Sequence, residues 1–169
     1  MAAQTRFLAD GDRPERAEEV PLLLFSVEGQ RYALHVSVVQ QVLPMVAVSP
    51  LPRAPEVALG VFNLHGEVIP VVDIRRRFGL PLRAYGPSAH MLVVRTHRRT
   101  LSLPVDEAIG VQHVSAAAVT PAEAVLPRTR HVAGIVALAD GLLFIHDLDA
   151  FLSLDEEERL DESLREIGG

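Results

Sequence analysis

The feature that most restricts the fold of this chain is a segment that occurs twice. The stretch GVFNLHGEVIPVVDI runs from Gly60 to Ile74, and the stretch GIVALADGLLFIHDL runs from Gly134 to Leu148. Each has two apolar runs around a polar turn and ends in Asp followed by Ile or Leu, which indicates a β-hairpin followed by a helical turn. Because a lone hairpin is barely stable, the repeat predicts two similar units that pack together.

The parts of the chain before these hairpins also correspond. The stretch from Leu22 to Val36 matches Met91 to Val105 at an offset of 69 residues, whereas the hairpins are offset by 74. The difference falls in the intervening loops, where insertions are tolerated. Each half reads as about five short strands, and a set of that size closes most easily into a small barrel. We therefore predict an all-β fold with short helices, built from two barrels side by side.

Three boundaries follow from the same patterns. Residues 1–20 are polar and aperiodic and predict a flexible arm, while residues 21–154 hold both barrels. The first barrel covers about residues 21–79 and the second about residues 90–150, with exchange of strands between them left open. Residues 153–167 predict an acidic amphipathic helix that starts with a capping box at Ser153 and Glu156. It either docks on the barrels or binds a partner, and docking is favoured.

Valines are unusually dense after the first hairpin. Val38, Val39, Val42 and Leu43 recur at helical spacing, which predicts a short helix. Together with Val36 they exceed what a small core needs, so part of this surface is predicted to be exposed for recognition. We expect an apolar seam between the barrels into which other proteins dock.

Composition excludes several classes of protein. The chain has no Cys, which rules out disulfides and thiolate sites. Its first residues lack the apolar core of a secretory signal, and no apolar run is long enough to span a membrane. The net charge is −6, and the acidic residues concentrate at the two ends of the chain. No basic face for nucleic acid is evident, so we predict a soluble cytoplasmic protein without membrane insertion.

Sequence motifs for catalysis are absent, and the paired residues of the repeat favour structural roles. Asp73 and Asp147 occupy equivalent positions, which fits a helix N-cap in each half better than a pair of acid–base carboxylates. Gly60 and Gly134 indicate strand starts where two backbones pass closely.

Histidines and arginines offer two further candidates. The run HDLD carries His146, Asp147 and Asp149, and with His131 it leaves a metal-dependent enzyme as an alternative. We favour no metal and no cofactor. The run Arg75–Arg77 fits a solvated helical turn with an acidic partner better than a phosphate site.

Four segments together resemble the chemotaxis coupling-protein (CheW-like) family from about Leu22 through the terminal helix. They are FSVEGQRYALHVSVVQQVL, PLPRAPEVALGVFNLHGEVIPVVDIRRRFGL, LPVDEAIGV and VAGIVALADGLLFIHDLDAFL. The resemblance implies two SH3-like five-stranded barrels and no catalysis. It implies an adaptor that joins the cytoplasmic tip of a chemoreceptor to the regulatory domain of a histidine kinase. Such a protein would be cytoplasmic and recruited to membrane-bound receptor arrays.

The resemblance also implies a receptor groove between the barrels. Carried over to this chain, it involves the residues Val36, Val39, Gln41, Val42, Gly60, Val61 and His65. Gly66, next to His65, is assigned a structural role in the turn. The family usually has Arg and Glu where this chain has His65 and Gln41. We hypothesise a neutral hydrogen bond between these two side chains, although two independent changes would explain them equally well. A divergent CheW-like module of a non-flagellar kinase pathway and a small-ligand-binding barrel remain alternatives.

Overall fold

The computed structural model describes residues 18–125 and 131–168. Their strands are β1 (Glu19–Val27), β2 (Gln30–His35), β3 (Val39–Pro44), β4 (Ala58–Leu64), β5 (Glu67–Val72), β6 (His90–Arg95), β7 (Thr100–Val105), β8 (Glu107–Ser115), β9 (Val119–Pro121), β10 (Val132–Leu138) and β11 (Gly141–His146). Their α-helices are α1 (Ile74–Phe78), α2 (Ala122–Val125) and α3 (Leu154–Gly168). Short 3-10 turns cover Val36–Val38, Ala116–Ala118 and Leu148–Ala150. The predicted all-β fold with short helices and a C-terminal helix is confirmed.

The strands form two sheets that cross the boundary between the sequence halves. The first sheet has the order β8-β1-β2-β11-β10-β9, and the second has the order β3-β6-β7-β5-β4. Each sheet therefore contains a hairpin from the other half of the sequence. We call the barrel formed by the first sheet the first barrel and that formed by the second sheet the second barrel. Each exchanged hairpin is joined to the rest of its sheet by a parallel strand pair. Strand β2 pairs with β11 in the first sheet, and β7 pairs with β5 in the second.

Both sheets close by the same device, in which the chain leaving one edge strand returns to the opposite edge. After β3 the chain reaches Ser49, which exchanges two backbone hydrogen bonds of 2.8 Å with Val61 on β4. After β8 it passes through the turn Ala116–Ala118 into β9, which pairs with β10. The first sheet has six strands rather than five because β9 follows that turn as a separate strand.

Alternate side chains of strands β1 and β6 lie in different hydrophobic cores. Leu22 and Leu24 point into the first barrel, whereas Leu23, Phe25 and Val27 point to the space between the barrels. Strand β6 divides its residues between the second barrel and the same shared space. Because a strand presents successive residues to opposite faces, strands buried on both sides must be apolar throughout. This explains the uninterrupted run LLLF in β1.

The shared space is filled by the chain itself, and we call it the inter-barrel core. Its buried residues are Leu23, Phe25, Val27, Tyr32, Leu34, Leu51, Val57, Val61, Val72, Ile74, Leu92, Val94, Leu101, Leu103, Val105, Leu148, Phe151, Leu152 and Leu160. The prediction of an open apolar seam along the whole boundary between the barrels is therefore wrong. A docking surface at the boundary between the barrels must therefore lie at the margins of this core.

The predicted short helix after the first hairpin is also wrong. Val36–Val38 form a 3-10 turn, and the residues that follow form strand β3, paired with β6. A β-bulge inserts Gln40 between Val39 and Gln41, so Val39 and Val42 face the same side although they are three residues apart. That spacing imitates a helix, while the β-branched valines favour the strand.

The two ends of the chain fit their predicted elements to different extents. Most of the predicted arm lies outside the described residues, and β1 begins at Glu19, within its predicted range. Helix α3 starts after Ser153, whose side chain accepts the amide of Glu156 while the carboxylate of Glu156 accepts the amide of Ser153. Leu160 is fully buried in the inter-barrel core, so the helix docks on the barrels.

Candidate interaction surface

Strand β3 exposes side chains at the edge of the second sheet. Among the described strands it pairs only with β6, so its outer edge is open. Val39 is half-buried against the inter-barrel core, Gln41 is exposed, and Val42 is 40% exposed. Val36, in the preceding turn, is half-buried. An apolar margin beside a neutral polar side chain is thus available to a partner.

The exposed valine of β3 has an equivalent on the other sheet. Val42 lies opposite Leu92, and Val111 on β8 lies opposite Leu23. Both pairs obey the 69-residue offset of the sequence, and both leucines belong to the inter-barrel core. Because directly opposed residues share a face, each valine points to the side of its sheet that packs on the other barrel. Each sheet therefore ends in an apolar margin, with Val111 59% exposed.

Gly60 and Val61 do not lie on this surface. Val61 is buried in the inter-barrel core. A Cβ atom on Gly60 would lie 2.1 Å from the carbonyl oxygen of Ser49, and Gly60 has a φ of 153°. The close approach that closes the second barrel therefore requires glycine here. Their expected place in a groove open to a partner is corrected to a structural one.

His65 lies apart from the β3 margin, at the tip of the β4–β5 hairpin. Its φ of 53° and that of 91° at Gly66 describe a tight two-residue turn, in which the side chain of Asn63 accepts the amide of Gly66 at 2.9 Å. His65 is exposed, and no hydrogen bond joins it to Gln41 within the described chain. The hypothesised Gln41–His65 bond is therefore not formed, and contact of His65 with a partner stays a prediction.

The two repeated aspartates cap helical turns. One carboxylate oxygen of Asp73 accepts the amide of Arg75 and the hydroxyl of Tyr85, each at 3.0 Å. Asp147 accepts the amide of Asp149 at 3.2 Å. Burial and the adjacent Asp73 carboxylate raise the pKa of Tyr85 well above its usual value, so this hydroxyl remains a donor. The repeated Gly134 is also closely packed, but against a side chain rather than backbone, since a Cβ there would meet Val119 Cγ1 at 2.6 Å.

His146, Asp147 and Asp149 of the HDLD run line one pocket, but each side chain is engaged elsewhere in the fold. His146 is buried in an aromatic cluster, with its ring centroid 4.7 Å from that of Tyr32 and 5.2 Å from that of Phe78. Burial, and to a smaller extent the neighbouring His131, lowers the pKa of His146 to about 3. The carboxylate of Asp149 accepts the backbone amide of His97 at 2.8 Å, and its other oxygen lies 3.1 Å from Nε2 of the His97 ring. In residues 18–125 and 131–168, no group of three or more His, Cys, Asp or Glu is placed to hold a metal ion.

The three arginines of α1 each contact a different segment. Arg75 is buried and pairs with Asp106. Its guanidinium also lies 3.5 Å from the carboxylate of Glu28 in the β1–β2 turn. Arg76 donates to the carbonyl oxygen of Glu56 at 2.7 Å, and Arg77 pairs with Glu156 of α3. The predicted acidic partners are present, but the prediction of a solvated turn is wrong for Arg75. No local pattern marks its burial, because its partners are distant in the chain.

Comparison with known proteins identifies the family that has this architecture. The family model described as the CheW-like domain matches residues 21–156. The chain belongs to the CheW-like family. Its match covers both barrels and ends within α3, so most of that helix lies beyond it.

Relatives and a solved structure agree with this assignment. The chain is 26% identical to the chemotaxis protein CheW of Klebsiella aerogenes, covering 82% of this chain and 85% of that protein. It is 27% identical to the chemotaxis protein CheW of Rhizobium meliloti, covering 81% and 90% respectively. The crystal structure of the scaffolding protein TtCheW from Thermoanaerobacter tengcongensis matches with a TM-score of 0.75 at 26% identity, covering 82% of this chain and 95% of that one. These likenesses support a chemotaxis scaffold role for this CheW-like chain and its SH3-like fold.

A helix must be both long and apolar to cross a bilayer. Within the described ranges, none is both long and apolar enough to do so.

Proposed function

We propose that this CheW-like protein is a non-catalytic adaptor that couples the cytoplasmic tip of a chemoreceptor to the regulatory domain of a histidine kinase. Family membership supports the scaffold role. The observation that carries the receptor side is the β3 margin, where Val42 is 40% exposed on a strand with an open edge. The proposal also places the protein in the cytoplasm, from which it is recruited to receptor arrays.

The receptor contact is assigned to Val39, Gln41 and Val42. These residues offer apolar surface and an uncharged polar group, which suits a partner helix that presents apolar side chains. Val36 adjoins them in the preceding turn, and the rigid inter-barrel core behind them holds the margin in place. Little of the free energy of binding is then lost in ordering this side of the complex.

The assignment is tested by placing a charge on the margin. We expect Val42→Asp to weaken binding of the receptor's cytoplasmic fragment by tenfold or more, because a desolvated carboxylate in an apolar contact is costly. Kinase binding should be unchanged. The matched control is Leu142→Asp on β11 of the other barrel, where the native side chain is 49% exposed. Equal receptor binding by wild type and Val42→Asp, or an equal loss in the control, would reject the β3 margin.

A further inference from the structure

The longest run of the chain without a charged side chain includes the β3 margin. No Asp, Glu, Lys or Arg occurs between Arg31 and Arg53, although 22% of all residues are charged. The run covers most of β2, all of β3 and the segment that returns to Ser49. Such a run is expected where side chains are buried, so its exposed residues require a separate explanation.

Burial does not account for the lack of charge in β3. Its residues Gln40, Gln41, Val42 and Pro44 are exposed, and none of the six residues of the strand is fully buried. Open edge strands are usually protected by charged side chains, Lys above all, because these prevent pairing with other chains. Strand β3 instead carries glutamines and a terminal proline, so its exposed surface is polar without being charged.

The strand beside β3 adds no charge along the margin. Val39–Leu43 lie opposite Met91–Val94 of β6, all four of which are uncharged and buried. A formal charge appears at one end, where Arg95 lines a pocket of about 180 Å³ together with Asp147 and Asp149. Because that pocket holds both signs of charge, it does not make the margin select a partner of one sign.

We infer that the receptor helix on the β3 margin presents a face without charged side chains, and that the affinity of this contact does not depend on salt. A carboxylate or ammonium group of the partner would lose its water there without an opposite charge on β3 or on the facing residues of β6. Apolar side chains meet no such penalty, and Gln41 can exchange hydrogen bonds with a neutral group. This partner chemistry rests on the proposed function, because it concerns the same margin.

The length of β3 sets the length of the uncharged face. Its six residues rise about 3.3 Å each, which gives an extent of about 20 Å. A helix that lies along the strand, with a rise of about 1.5 Å per residue, is in contact over about thirteen residues. The positions that face β3 recur every three or four residues along one stripe. A receptor helix with Asp, Glu, Lys or Arg within that stripe is therefore not expected to bind.

Salt dependence tests this inference on the native protein. Binding of the receptor's cytoplasmic fragment to the full-length wild type is measured by calorimetry from about 50 to 500 mM NaCl, a range over which attraction between exposed charges is largely screened. A contact without charges should keep its dissociation constant within about twofold over that range. A larger rise in the dissociation constant would overturn the inference.

A matched set of variants adds a single charge. Gln41→Glu places a carboxylate on the margin at nearly constant volume and should weaken receptor binding by about tenfold or more, whereas Gln41→Met should stay within about twofold of wild type. The control Gln112→Glu makes the same change at an exposed position of β8 and should bind as wild type does. Unchanged binding by Gln41→Glu, or an equal loss in the control, would contradict the uncharged contact.

The outcomes separate this inference from the proposed function. A wild type that does not bind the receptor fragment, or a Val42→Asp variant that binds equally well, would reject the β3 margin and the inference with it. If Val42→Asp weakens binding while the affinity of the wild type falls with added salt, the receptor contact stands and only the uncharged partner face is wrong.

Discussion

Arg99 and Glu157 form an ion pair of 2.8 Å between Arg99 Nε and Glu157 Oε1, which fastens the C-terminal helix to the β6–β7 turn. Both side chains are largely buried, at 12% and 8% exposure, and Arg99 also binds Asp161. Helix α3 thus rests on a charged contact as well as on Leu160.

The first prediction concerns this pair. Arg99→Met should lower the free energy of unfolding by about 3 kcal/mol, because it leaves the buried Glu157 carboxylate without its partner. Glu157→Leu should cost less, because Arg99 keeps its ion pair with Asp161. The double variant should lose less than the sum of the two single losses. Urea denaturation of the four proteins measures the coupling, and strictly additive losses would show that the pair does not hold the helix.

The second prediction concerns the closure of the second barrel. Gly60→Ala should lower the free energy of unfolding by about 3 kcal/mol or more, because the new methyl group would meet Ser49 at 2.1 Å. The control is Gly86→Ala, where a Cβ has no other atom within 4 Å. That variant should be close to neutral by the same denaturation measurement, and equal losses in both would refute the close-approach argument.

The third prediction concerns pH. The pKa of His146 is lowered from 6.5 to about 3 by burial, so the unfolded chain binds a proton between these pH values that the folded chain excludes. The contribution of His146 to stability is therefore complete above about pH 6.5 and declines as the pH falls toward 3. Its slope is at most about 1.4 kcal/mol per pH unit.

His146→Phe isolates that effect. The phenyl ring suits the aromatic cluster of Phe25, Tyr32, Phe78 and Phe151, and it cannot titrate. The free energy of unfolding of the variant should fall less steeply than that of the wild type between pH 6.5 and 4. Parallel curves would mean that His146 is protonated equally in both states.

Local patterns predicted the hairpins, the C-terminal helix and the all-β class, because each depends on residues close together in the chain. The Ser153–Glu156 capping box is one example, since both hydrogen bonds join residues three apart. The strand β3 was mistaken for a helix because one bulge residue, Gln40, changes the spacing of the valines. The two-residue alternation of a strand predicts which side chains share a face only where no bulge interrupts the pairing of the strands.

Long-range features could not be predicted in the same way. Arg75 pairs with Asp106 across 31 positions, and Arg99 reaches Glu157 across 58, so no local signal marks either arginine as buried. Sequence reasoning also joined Val61 to the surface residues of β3, although tertiary packing places it in the inter-barrel core. Residues of one motif can thus divide between the core and the surface.

Bridging of two partners tests the central claim most directly. Membranes that carry the chemoreceptor are mixed with the histidine kinase, with or without this protein, and the kinase in the pellet is measured after sedimentation. The adaptor role predicts that the kinase sediments only when the wild-type protein is present and that Val42→Asp abolishes this effect. Sedimentation of the kinase to the same extent without the protein, or no increase when it is added, would contradict it.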